Sequence, residues 1–218
     1  MTDRADGDYW TRYYRRRETP ILPSQFAAFV ANELLTGQLP EIGAVVDLGC
    51  GNGRDSFFFL QFGRPVHAVD ASEAAIAGCG EQLARKPDGE RRLARFTLGR
   101  ADDEPIWSEL ARATSGAPLI YARFFFHAID EQAQARVLDR AAALLHARGG
   151  VLCVEARTDR DARAAKVTPE HYRRFIRPDD FAAALEQRGL HLCYRAEGTG
   201  MAKYREDDAH VFRMIAAP

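Results

Sequence analysis

Val45-Val46-Asp47-Leu48-Gly49-Cys50-Gly51-Asn52-Gly53-Arg54-Asp55 is the stretch that decides the fold. The short β-branched run at its start predicts a buried parallel strand over 44–48, and a helix is expected from Asp55 onward. Three glycines at alternate positions between them let the main chain come close to a ligand. They do so at the carboxyl edge of a sheet, where doubly wound sheets bind. A dinucleotide site of the G-x-G-x-x-G kind needs glycine at position 54, and Arg54 stands there instead.

Working outward, strand and helix signals alternate. Strands are expected over 65–70, 95–98, 118–122 and 151–154, with helices over 72–85 and 130–146. Ser24 is the natural N-cap of an earlier helix running to about Thr36. Such alternation implies a parallel sheet with right-handed crossovers. Residues 190–197 and 210–217 are two strand candidates with no helix between them, so they should pair antiparallel. The expected fold is therefore α/β, a doubly wound, mostly parallel, seven-stranded sheet closed by a C-terminal hairpin. Residues 1–40 form an aromatic and basic lid with its helix, and 41–218 form the main domain.

The chain has 218 residues, 30 Lys+Arg against 31 Asp+Glu, and a formal net charge of −1. That balance disfavours a bulk nucleic-acid or anionic-membrane surface. No apolar run is long enough to span a bilayer, and the first residues lack the apolar core of a secretory leader. Cys50, Cys79, Cys153 and Cys193 are scattered without C-x-x-C spacing, which speaks against a disulfide framework and for a reducing cytoplasm.

The run Asp47-Leu48-Gly49-Cys50-Gly51-Asn52-Gly53 resembles the first motif of class I S-adenosylmethionine-dependent methyltransferases. The strand and helix order is similar to that family over about residues 41–217. The resemblance implies S-adenosylmethionine as cofactor, held around Asp47, Gly49, Cys50, Gly51 and Gly53. It implies Asp70 on the ribose hydroxyls, Ala101 and Asp102 (or Asp103) beside the adenine, and Arg123 at the end of the fourth strand. An ionised carboxylate suits a vicinal diol because it accepts two charge-assisted hydrogen bonds.

Amino-group methyltransferases of this family often carry Asn/Asp-Pro-Pro-aromatic after the fourth strand. Here the run is Ala122-Arg123-Phe124-Phe125-Phe126-His127, which favours an oxygen acceptor. A hydroxyl must lose its proton, and a histidine titrating near neutrality suits that task, so His127 is the candidate general base. A capping or core role is its competing account. Two of the three phenylalanines are expected in the core. Glu155 is the second catalytic candidate, as orienter, substitute base or, with Asp159 and Asp161, a ligand for Mg²⁺.

Tyr9, Trp10 and Tyr14, interleaved with arginines, are candidates for a lid over the cofactor and acceptor or a packed cap. Arg157, His171, Arg174 and Tyr204 are candidate acceptor contacts. The glycine-bearing segment 198–208 is either a loop shaped over the acceptor or a plain surface hairpin. The chain is similar to small bacterial glycan and sugar O-methyltransferases, which implies a small-molecule or oligosaccharide acceptor, with a homodimer as the assembly considered. Acceptors that need no strong base (a thiol, a metalloid or a carboxylate) and a non-catalytic cofactor-binding module are the alternatives. RNA is the weaker one.

Overall fold

The computed structural model describes residues 14–15, 20–163, 172–204 and 206–218, so Tyr9, Trp10 and His171 lie outside the described residues. Ser24 caps the first helix described, α1 (Gln25–Leu35), its hydroxyl accepting from the Ala27 amide. Then come β1 (Ala44–Leu48), α2 (Arg54–Leu60), β2 (Val66–Asp70), α3 (Glu73–Ala84), α4 (Asp88–Leu93) and β3 (Ala94–Leu98). They are followed by α5 (Glu104–Ala113), β4 (Pro118–Arg123), α6 (Glu131–Arg148), β5 (Val151–Arg157) and α7 (Pro178–Glu186). The chain closes with β6 (His191–Gly198), a two-stranded ribbon of β7 (Lys203–Tyr204) and β8 (Asp207–Asp208), and β9 (Val211–Ala217).

The main sheet has seven strands in the order β3-β2-β1-β4-β5-β9-β6. Strands β1 to β5 run parallel, and β9 lies antiparallel between β5 and β6. Alternate residues of each strand face opposite ways. Val45, Val66, Leu119, Tyr121 and Cys153 pack with Phe26, Val30, Phe59 and Leu60 on one side. Val46, Leu48, Ile120, Leu152 and Met214 pack with Trp107, Val137, Leu145 and Phe181 on the other. Three layers result, the helices that flank the sheet each burying an apolar stripe, whereas the short α4 buries no residue.

All seven main strands fall where the sequence places them, within a residue or two except at the end of β5, which continues to Arg157. Helices α4, α5 and α7 are additional. α5 and α7 open with proline in the first turn (Pro105 and Pro178) and bury Ile106, Trp107 and Leu110, and Phe181, Ala182 and Leu185. Proline in that position and apolar spacing of three to four are helix-start signals, masked here by flanking charge. Gly150 shows how closely β4 and β5 approach at their start: a side-chain carbon there would lie 2.1 Å from the Pro118 carbonyl oxygen.

Pairing of Asp47 with both Ala68 and Tyr121 sets the register of the central strands. It brings Gly49, Asp70 and Arg123 to the same edge of the sheet.

Candidate active site

At that edge the chain leaves β1 through Gly49, Gly51 and Gly53, with φ of 71°, 56° and 74°. These left-handed angles are ones side-chain-bearing residues avoid. A carbon placed on Gly51 would also lie 2.3 Å from the Tyr14 hydroxyl, and one on Gly49 2.8 Å from the Phe125 ring. The loop is fixed from β2: the Val69 carbonyl accepts from the Gly49 and Cys50 amides, and Asp70 Oδ2 accepts from the Gly51 amide at 2.8 Å. Asp70 Oδ1 accepts from the Ser72 amide at 2.8 Å. Burial raises the Asp70 pKa, and these two amide bonds oppose the rise.

The loop floors a cavity of about 590 Å³. Among the residues anticipated from the sequence, Asp47, Gly49, Cys50, Asp70, Arg123 and His127 line it, as do Tyr14, Arg157 and Tyr204. Gly51 and Gly53 shape the loop without facing the space. Phe126 is fully buried, Phe125 is half-buried and packs against the same core cluster, and Phe124 stands half-buried in the wall. Phe124 has φ 54°, an uncommon angle for a bulky residue. Its ring lies under two guanidiniums, with Arg123 at 4.2 Å and Arg157 at 5.4 Å from its centroid.

Beneath the loop, Asp47 is buried and accepts from the Ser56 hydroxyl at 2.5 Å. Burial pushes its pKa up to about 7, partly opposed by that hydroxyl. The folded chain then holds a proton that the unfolded chain releases above its ordinary value of 3.8. Unfolding free energy should therefore fall as pH rises from about 4 to about 7, by at most about 4 kcal/mol from this group. Denaturant titrations across that window should show the fall in the parent and its loss in Asp47→Asn.

A second buried carboxylate escaped the sequence reading. Asp55 accepts from the Ser24 amide at 2.7 Å, the Ser24 hydroxyl at 2.7 Å and the Tyr121 hydroxyl at 2.9 Å. It ties the start of α1 to the glycine turn, and no local motif announces a contact across 31 and 66 residues.

Further along the edge, two ion clusters face each other across Phe124. Glu155 is fully buried and binds Arg123 Nε at 2.9 Å through one oxygen and Arg213 Nε at 2.8 Å through the other. Burial pushes its pKa up while the Arg123 and Arg213 guanidiniums pull it down. Arg157 is held by Asp161 Oδ2 at 2.6 Å and by both oxygens of Asp207. Neither Asp207 nor Arg213 was anticipated, because each acts across more than 45 residues.

Cys50 and Cys79 lie side by side beneath the loop, both donating to the Gly51 carbonyl, at 3.9 Å and 3.3 Å. Cys50, Cys79 and Cys153 are buried and Cys193 is exposed, all as free thiols.

Several expectations change. Glu155 does not line the cavity, and both its oxygens are engaged by Arg123 and Arg213. Asp161 is equally engaged, by Arg157 and by the His210 amide at 3.0 Å. No group of three His, Cys, Asp or Glu among the described residues is placed to hold a metal, and the Mg²⁺ expectation is withdrawn. Arg174 points away, donating to Gln134 Oε1 and lying 3.8 Å from Glu131, while its neighbour Arg173 lines the cavity.

Ala101 and Asp102 do not line the cavity either. The Ala101 carbonyl accepts from Trp107 Nε1, and Asp102 accepts from Arg136 at 2.7 Å and Arg100 at 3.1 Å. Burial pushes the Asp102 pKa up, but those guanidiniums outweigh it and hold it below the usual range. His127 lines the cavity, yet its Nδ1 accepts from the Arg157 amide at 3.2 Å. The neutral ring consequently carries its proton on Nε2.

The segment between β6 and β9 is shaped rather than a plain hairpin. Its ribbon is pinned by Gln25, which accepts from the Lys203 amide at 2.9 Å and donates to the Gly200 carbonyl at 3.2 Å. Arg213 donates to the Met201 carbonyl at 2.6 Å. These bonds set Ala202, Lys203, Tyr204 and Asp207 in the cavity wall.

Comparison with known proteins agrees with this layout. A family described as a methyltransferase domain matches residues 46–152. No curated protein sequence matches the chain. Similar solved structures include an S-adenosylmethionine-dependent methyltransferase from Anabaena variabilis, at 17% identity and TM-score 0.68, covering 96% of this chain and 93% of that one. The CcbJ methyltransferase of Streptomyces caelestis is similar at 18% identity and TM-score 0.66, covering 92% and 93%. The glycopeptide N-methyltransferase MtfA in complex with S-adenosylmethionine is similar at 17% identity and TM-score 0.64, covering 89% and 86%. No helix among the described residues is long and apolar enough to cross a membrane. With a side-chain-free glycine turn, an acidic end to β2 and this strand order, the chain has the class I methyltransferase fold, and residues 46–152 match a methyltransferase domain.

Proposed function

We propose that the protein transfers a methyl group to an oxygen of a small acceptor, of the size of a sugar or a short glycan segment. The cofactor supplies an electrophilic methyl on a sulfonium, and the protein's part is to bind, orient and exclude water. Gly49, Cys50 and Gly51 would cradle it through main chain, with Asp70 on its ribose hydroxyls. Asp102 would anchor α6 to the β3–α5 turn through Arg136, its carboxylate already committed.

One observation carries the choice of oxygen. Three carboxylates at the Arg123–Tyr204 end, Glu155, Asp161 and Asp207, are engaged by arginines, and Asp55 is taken by Ser24 and Tyr121. The side chains facing the space there include the Arg123 and Lys203 cations and the Phe124 ring, which suit oxygen lone pairs and repel an ammonium. A cavity of about 590 Å³ shared with a nucleoside cofactor limits the acceptor to a small molecule or the end of a larger one. Labelled-methyl transfer to separate pools of sugars, carboxylic acids, thiols and amines tests this. Label in an oxygen acceptor is expected, and label in amines alone contradicts it.

His127 serves here as a donor that steadies the acceptor, because its Nδ1 lone pair is already used. His127→Ala should lower turnover about tenfold, the worth of one hydrogen bond. Its pH profile should keep the shape of the parent's. A loss of about 10²–10⁴-fold together with a vanished ionisation near neutrality would restore the general-base role.

A further inference from the structure

We infer that the acceptor is a carboxylic acid, bound as its anion through Arg123 and converted to a methyl ester. This rests on the methyltransferase function proposed above and narrows it to one substrate class.

The inference starts from an imbalance of charge in the wall. Glu155 serves two guanidiniums at once, Arg123 and Arg213. Arg213 is used up within the fold: it donates to the Met201 carbonyl and lies 5.3 Å and 5.4 Å from the ring centroids of Phe26 and Phe29. Arg123 is placed differently. Only its Nε is engaged with Glu155, its flat face rests on Phe124, and it lines the cavity. Among the described residues, no acceptor lies on its two terminal nitrogens. A guanidinium fixed at Nε and stacked on a ring presents its two outer N–H groups as a preset fork, which matches a carboxylate.

Nearby cations add to this field. Lys203 also lines the cavity and has no carboxylate within ion-pair distance among the described residues, whereas Arg157 is neutralised by Asp161 and Asp207. Toward the glycine turn the wall carries Asp70, with Asp47, which keeps its proton to about pH 7, and Asp55, which is taken by Ser24 and Tyr121. The space is therefore polar along its length, acidic where a cationic sulfonium nucleoside belongs and basic where the acceptor belongs.

Ester formation also removes the need for a base. A carboxylate oxygen bonds to the methyl carbon while the carbon–sulfur bond breaks and its electron pair stays on sulfur. A methyl ester and a neutral thioether result, and no proton is released. That balance suits a site whose histidine Nδ1 and whose acceptor-end carboxylates are all engaged.

The test uses the full-length protein, cofactor carrying a tritiated methyl, and a small-molecule extract of the source cells. Products are then treated with mild alkali, which frees methanol from methyl esters and leaves methyl ethers intact. Volatile label is the expected result. Alkali-stable label would overturn the inference while leaving oxygen methylation standing. No transfer at all, despite calorimetric binding of the cofactor, would overturn the proposed function itself. In Arg123→Lys and Arg123→Met the KM for the purified acid should rise about 100-fold, with cofactor affinity within about twofold of the parent. An equal loss of cofactor affinity would instead place Arg123 on the cofactor's carboxylate and contradict the assignment.

Discussion

Glu155→Ala is expected to be the most destabilising single change at the site, lowering the unfolding free energy by about 3–5 kcal/mol. The carboxylate is fully buried, and it is the shared counter-ion of two arginines whose side chains are only 16% and 8% exposed. Its removal leaves two like charges facing each other in a low-dielectric wall with no oxygen between them. For a chain of this length the loss corresponds to a fall in melting temperature of about 10 °C. Replacing Arg213 as well tests the cause. Glu155→Met with Arg213→Met removes a buried charge along with its partner and should recover part of the loss, because an apolar pair of similar volume is often tolerated where a half-broken ion pair is not. Thermal unfolding of the parent, the single variants and the double variant gives the coupling directly. Equal melting temperatures for the parent and Glu155→Ala would mean that the two arginines are solvated rather than held by this carboxylate.

Asp70→Ala should produce the largest functional loss without unfolding the chain. One Asp70 oxygen holds the Gly51 amide and the other holds the Ser72 amide, so the residue fixes the glycine loop and starts α3 at the same time. The carboxylate is also the group placed to accept from a ribose diol. A charged hydrogen-bond acceptor of this kind contributes about 1.5–3 kcal/mol. With the loosened loop added, cofactor affinity should fall about 100-fold or more. Asp70→Asn keeps one acceptor oxygen and should lie between parent and alanine variant. Both are read by calorimetry with S-adenosylhomocysteine, with circular dichroism confirming the fold. An unchanged dissociation constant in Asp70→Ala would remove this residue from the cofactor site.

The fold was legible because its signals are local. Val45–Leu48 and Val151–Val154 are short apolar runs bounded by glycine, and the two final strands lack a helix between them. The glycine turn and Asp70 were legible for the same reason, since a strand end and a few residues beyond it carry the whole pattern. Helices α5 and α7 were harder to see because Glu104, Glu109 and Asp179 dilute the apolar stripe that Trp107 and Phe181 bury.

The acceptor end was not legible in the same way. Arg123 meets Glu155 across 32 residues, Arg213 meets Glu155 across 58, and Arg157 meets Asp207 across 50. Sequence supplies the residue types but not these partners, and partners decide function here. Glu155 and Asp161 have the chemistry of metal ligands until arginines occupy their oxygens. His127 has the chemistry of a base until the Arg157 amide occupies Nδ1. Arg174 and Arg173 are adjacent and identical in type, and only the turn of the chain sends the first toward Gln134 and the second toward the cavity.

The most direct measurement is titration calorimetry of the purified chain with S-adenosylmethionine, S-adenosylhomocysteine and NAD. One molecule of either sulfur nucleoside per chain, with no heat from NAD, is the predicted result. Silence from both sulfur nucleosides alongside saturable NAD binding would contradict the whole assignment.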